Sequence, residues 1–409
     1  MKPSPNHLPS LLSSLLFIVG AMLFLSVSLV MGVTSFASLL TGQDVQAQQT
    51  ILLAVSGFEA LILIIAAFIS IQRFRQQPVA EQDSSFSITA RQILISLIVA
   101  GIAIFIGYKF GANNSVNWLL LPVLTLPAVA IPLFILVSLA IRGIALGTRW
   151  QSWNIFGLGM TISPFILIFL EAFVLLVILI FVVAFLVSQP DFVTQIERLS
   201  QQMVLLGPQS EAAQRLLIPY ITNPGVLVVA LAYFAVIVPL LEELFKPFGV
   251  WFVANKLTSP AQGFALGALS GSAYALIETL GSSAQTVEWA SLLLTRIGTG
   301  ILHVTTSALM GAAIVYAIRD RNYLRLLGTY LVAVSMHGLW NALAILYGFS
   351  TLTELLDQPS PFDGYRTPLI VGLTFLGVIF LVILILSNRR MRALLSKASF
   401  EQTNRESTK

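Results

Sequence analysis

Apolar residues fill this chain in long, nearly unbroken runs, and the polar residues fall mainly into short stretches between them. A spanning helix needs roughly 20 mainly apolar residues. Runs of that kind lie near residues 11–36, 50–71, 92–108, 119–141, 162–188, 225–253, 262–281, 290–317, 324–348 and 367–387. The pattern predicts an all-α, polytopic membrane helical bundle of about ten transmembrane helices. The first run is too long for the apolar part of a signal peptide and has only Lys2 ahead of it, so it reads as a retained helix. The connection 189–224 carries Phe192, Ile196, Leu199 and Met203 at helical spacing. It reads either as an interfacial helix over the mouth of a site or as a tethered loop with no catalytic part. Residues 73–90 read as a flexible linker, and the basic tail after Asn388 reads as disordered.

Composition agrees with this picture and narrows it. At 57% hydrophobic and 10% charged residues, with a mean hydropathy of +0.89, the chain fits no soluble class, and the lipid bilayer is its solvent. The expected location is the cell membrane, as a multi-pass protein. Sixteen Lys and Arg fall in the connections and tails on the side of both termini and four in those on the opposite side, which places both termini in the cytoplasm. The formal charge of +4 therefore reports topology and does not point to nucleic acid. Cysteine is absent, so disulfides, thiolate metal sites and cysteine nucleophiles are excluded. No dinucleotide fingerprint, P-loop or GxSxG elbow occurs, so neither nucleotide nor nucleotide cofactor is expected.

Ionisable side chains inside spanning helices are costly and are functional by default. They crowd into the second half of the chain. The sixth run reads VIVPLLEELFKPFGVWF, with Glu242 and Glu243 side by side, Lys246 within one turn of both, and Pro239 and Pro247 on either side to kink the helix. The seventh carries Gly263, Gly267 and Gly271 at four-residue spacing, a small-residue face for close helix approach, with Glu278 on the same stripe. The eighth carries Arg296 and His303 on one face, and the ninth His337 and Asn341 one turn apart. Each of these has a structural reading too: Glu242 with Lys246 as a buried ion pair, His337 with Asn341 as interhelical hydrogen-bonding groups. Arg296 reads as snorkelling to the interface, and Glu59 and Glu171, without basic or histidine companions in their own runs, as structural. The division that follows is an amino-terminal region 1–223 of about five helices plus the long extracytoplasmic connection 189–223, a four-helix core 224–348, and a last helix with a basic cytoplasmic tail, 349–409.

Three carboxylates and two imidazoles suit activation of water for hydrolysis, one group taking the proton and others stabilising the developing oxyanion. Two versions stand open. In the metal-free one, a glutamate of the Glu242–Glu243 pair is the base. In the other, Glu278, His303 and His337 hold zinc, and Glu243 acts as the base. No cofactor is obligatory, and zinc is the metal the set could take.

Glu242-Glu243-x-x-Lys246, then Tyr274-x-x-x-Glu278, then His303, then His337-x-x-x-Asn341, on successive apolar runs, resembles the PrsW family of intramembrane proteases, related to the superfamily of CAAX prenyl and bacteriocin-processing proteases. Lys246 and Glu278 stand where the prenyl-protease branch has Arg and His, which favours the PrsW branch. The resemblance spans about Val228 to Leu346. It implies proteolysis in or near the membrane of a membrane-anchored protein, such as an anti-sigma factor. Glu242 and Glu243 would be the water-activating pair, Glu278 and His303 the second acid or ligand, and His337 with Asn341 the oxyanion stabilisers. The rival readings are a proton-coupled secondary transporter, against which the lack of internal repeats speaks, and a non-catalytic membrane scaffold.

Overall fold

A computed structural model of the chain describes residues 8–75, 88–113, 115–189, 191–207, 210–221, 223–284, 289–355 and 364–407. Most of the linker expected at 73–90 lies outside the described residues. In chain order the helices are α1 (Leu8–Thr41), α2 (Ala47–Phe74), α3 (Ala90–Phe110), α4 (Asn117–Ile141), α5 (Arg149–Met160), α6 (Ile162–Val187), α7 (Phe192–Leu206), α8 (Glu211–Ile221), α9 (Pro224–Ala232), α10 (Val238–Phe245), α11 (Phe248–Val253), α12 (Pro260–Ser282), α13 (Trp289–Asp320), α14 (Tyr323–Leu355) and α15 (Arg366–Ser407). A π-helical turn, Tyr233–Ile237, joins α9 to α10. There is no strand among the described residues.

Nine helical segments among the described residues are long and apolar enough to cross a membrane, so the protein is a multi-pass membrane protein. Each of the ten expected runs is helical. The one outside the nine is α12, whose glycines and serines dilute its apolar character. Two features depart from expectation. The tail after Asn388 is not disordered: α15 runs unbroken from Arg366 to Ser407, because nothing after Asn388 is a Gly or Pro able to stop it. A helix, α5, also precedes the fifth expected run, capped by Thr148, whose side chain accepts from the Gln151 N–H.

The chain divides into two compact units. The first comprises Met1–Phe165, Glu243–Ala333 and Gly377–Lys409. Here α12 lies at the centre, packed by α13, α5 and α4, and buried along most of its length. Trp289 at the start of α13 is buried and donates its indole N–H to Thr125 Oγ1 of α4 at 3.1 Å. Asn388 of α15 donates to the Ala140 and Arg142 carbonyls at the end of α4, at 2.7 and 3.1 Å, satisfying acceptors that the helix terminus leaves open.

The second unit comprises Ile166–Glu242 and Val334–Leu376. It contains α7, which is helical where the spacing of Phe192, Ile196, Leu199 and Met203 places a helix. Tyr233 Oη donates to the main-chain carbonyl of Glu171 at 2.8 Å, tying the π-helical turn to α6.

Candidate active site

Close approach of α12 and α13 builds the first cluster. Ser259 caps α12 by accepting from the Gln262 N–H, and Pro260 follows at its first position. A Cβ on Gly263, Gly267 or Gly271 would run into the main-chain carbonyls of Gly311, Ser307 and His303 respectively. Only glycine permits that spacing. The antiparallel pairing then carries Glu278, two turns beyond Gly271, alongside His303 and Arg296 of α13.

His303 is 1% exposed. Its Nε2 lies 2.7 Å from Glu278 Oε2 and its Nδ1 lies 2.6 Å from Lys246 Nζ. Lys246, fully buried, also donates to Glu243 Oε1 at 2.9 Å. Tyr274 completes the surround, its ring edge-on to His303 at 5.4 Å and beneath the Lys246 ammonium at 5.2 Å. An ammonium only donates and a carboxylate only accepts. The one neutral tautomer that serves both neighbours carries the proton on Nε2 and accepts at Nδ1.

Lys246 owes its position to Pro247. Proline supplies no N–H, so α10 ends at Phe245, and the next helical bond runs from Val250 N to Pro247 O at 2.8 Å. That leaves the Lys246 carbonyl without its helical donor, and Ser270 Oγ of α12 donates to it at 2.6 Å.

The second cluster belongs to the second unit. Ahead of α10 the π-helical turn sends the Val238 N–H to Tyr233 O, which orphans the Phe234 carbonyl. Asn341 Nδ2 donates to it at 2.8 Å. Pro239 likewise offers no N–H to the Ala235 carbonyl, and Gly338 brings the α14 backbone directly against that oxygen. One turn before Asn341, His337 is 2% exposed and its Nε2 lies 3.9 Å from Glu242 Oε2, an ion-pair distance too long for a hydrogen bond. Adjacent helical residues point about 100° apart. Glu243 therefore turns to Lys246 while Glu242 lies beside His337.

Glu243, Lys246, Glu278 and His303 thus share one hydrogen-bonded chain in the first unit, and Glu242, His337 and Asn341 group in the second. Arg296 departs from the expected snorkelling. Its Nη1 lies 2.6 Å from Glu278 Oε1 and its Nη2 donates to Ser282 Oγ at 2.7 Å. The antiparallel α12–α13 contact sets a carboxylate opposite it, and a two-pronged charged bond outcompetes the reach to the interface. Its seven-residue spacing from His303 was the signal. Ser270 and Ser282 carried none, as α12 holds several serines.

Imidazole and carboxylate donors suit zinc, and each cluster holds both. His303 also has the carboxylate that metal-ligating histidines usually bond through their other ring nitrogen. Glu278, with one oxygen on Arg296 and the other on His303, stands as that orienting carboxylate.

No curated protein and no solved structure matches the chain. A family model described as PrsW family intramembrane metalloprotease matches residues 147–387. That stretch is more than half of the 409 residues and holds both clusters whole, from Glu242 to Asn341. The chain belongs to the PrsW family of intramembrane metalloproteases.

Proposed function

We propose that this intramembrane protease cleaves a membrane-anchored regulatory protein of the anti-sigma-factor type, at a peptide bond in or near the bilayer, using Glu243 as the base that takes a proton from water. The observation that carries this reading is the buried chain Glu243, Lys246, His303, Glu278. Lys246 fixes one Glu243 oxygen at 2.9 Å, which orients the carboxylate and balances its charge in apolar surroundings. Each cluster carries metal-binding residue types within its own unit, His303 in the first and Glu242 with His337 in the second, and Glu278 orients His303. Bound zinc supplies Lewis acidity toward the scissile carbonyl oxygen. Asn341, engaged on the Phe234 carbonyl, acts in this reading as a positioning residue for the helix that carries Glu242. Both termini are read as cytoplasmic, on the sixteen-to-four distribution of basic residues.

The metal-free version keeps one specific support. Lys246 Nζ already occupies the Nδ1 side of His303 at 2.6 Å, so a cation at that nitrogen must displace the ammonium.

Cleavage of single-pass membrane proteins, co-reconstituted with the purified protein, tests the proposal. Glu243→Gln and His337→Ala are each expected to abolish cleavage. Cleavage surviving in both would overturn the assignment of Glu243 and His337 to the active site.

A further inference from the structure

Arg296 lies outside every motif that carries the family resemblance, yet it terminates the buried hydrogen-bonded chain. Its guanidinium grips Glu278 Oε1 at 2.6 Å and Ser282 Oγ at 2.7 Å, and Ser282 sits one turn after Glu278 on the same face of α12. The side chains of Arg296 and Glu278 are 22% and 32% exposed, whereas His303 is 1% exposed. Glu278 therefore stands at the boundary of the buried chain, with room to swing away from His303. A carboxylate on a helix has several rotamers, and its second oxygen meets His303 Nε2 at 2.7 Å only while the first is held.

We infer that Arg296 is a positioning residue of the active site: with its guanidinium anchored on Ser282 Oγ, it holds Glu278 Oε1 and so fixes the carboxylate that orients the His303 ring, which sets where His303 Nδ1 points. The inference rests on the proposed function only in calling His303 an active-site residue; the arrangement itself is tested without proteolysis or metal. Planarity and two separate donors are what Arg contributes here, since Lys would bring a single point of attachment.

The experiment uses the metal-free full chain labelled with 15N-histidine, which carries only three histidines, His7, His303 and His337. In the unsubstituted protein His303 is expected to show a slowly exchanging, hydrogen-bonded Nε2 proton. Arg296→Gln is expected to lose that signal, Arg296→Lys to keep it in part, and both to leave the ring signals of His337 unchanged. Retention of the full Nε2 signal in Arg296→Gln overturns the inference. So does a parallel change at His337, which would mark a general structural loss. Should Arg296→Gln fail to fold, Ser282→Ala decides: it removes only one anchor of the guanidinium, faster exchange of the His303 proton supports the inference, and unchanged exchange overturns it.

Discussion

Lys246 pairs with Glu243 with none of its side chain exposed. Burying an ion pair is tolerable only while both partners remain; removing one leaves the other uncompensated at about 3–5 kcal/mol. Lys246→Met is therefore expected to destabilise the protein by about that much and to abolish cleavage, measured as thermal unfolding in detergent beside the cleavage assay. Ser270→Ala removes a single neutral hydrogen bond to the Lys246 carbonyl and is expected to cost about 1 kcal/mol. A drop as large as that of Lys246→Met would contradict this assignment. At this scale the sequence showed the participants better than their partners. Lys246 stood within reach of both Glu242 and Glu243, and only the break at Pro247 and the His303 nitrogen opposite select Glu243. Arg296 was legible by spacing but not by direction, because snorkelling and inward pairing share one sequence pattern.

The α12–α13 contact is the element on which the first cluster depends, and its glycine stripe was readable in advance because small residues at four-residue spacing have few other uses in a membrane helix. Gly267→Val would drive a side chain into the Ser307 carbonyl. The expected loss is about 1–3 kcal/mol in unfolding, with reduced cleavage as Glu278 and His303 separate. Gly281, on the same helix, faces open space, with nothing within 4 Å of where a Cβ would stand, so Gly281→Ala is expected to leave stability and cleavage unchanged. Equal effects at the two positions would show that helix propensity, and not packing, is being measured. The π-helical turn before α10 was only half legible. Pro239 announced a disturbance, but which carbonyl it would orphan depended on the register adopted, and the Asn341 side chain that answers the Phe234 carbonyl lies 107 residues away. Asn341→Ala is expected to cost about 1–3 kcal/mol for a carbonyl left unsatisfied in apolar surroundings, read by the same unfolding measurement. The helical continuation of α15 past Asn388 was readable in Met391, Leu394 and Leu395 at helical spacing, a period that the many basic and polar residues around it obscured.

For the whole molecule, length and apolar runs sufficed to predict an all-helical membrane protein, since backbone polar groups in lipid leave few alternatives to the helix. Orientation rests on the basic residues, and the absence of cysteine makes it easy to measure. In sealed cells, Gln201→Cys in α7 is expected to react with a membrane-impermeant maleimide, whereas Lys397→Cys in α15 should react only after permeabilisation. The reverse pattern would invert the topology. Metal-dependent, glutamate-based proteolysis is tested most directly by cleavage of a single-pass membrane-anchored protein in proteoliposomes. The unsubstituted chain and Glu243→Gln are compared before chelation, after chelation and after zinc is restored. Chelation is expected to abolish cleavage by the unsubstituted chain, zinc to restore it, and Glu243→Gln to stay inactive throughout. Cleavage that persists after the metal is removed, or that Glu243→Gln retains, would contradict that chemistry.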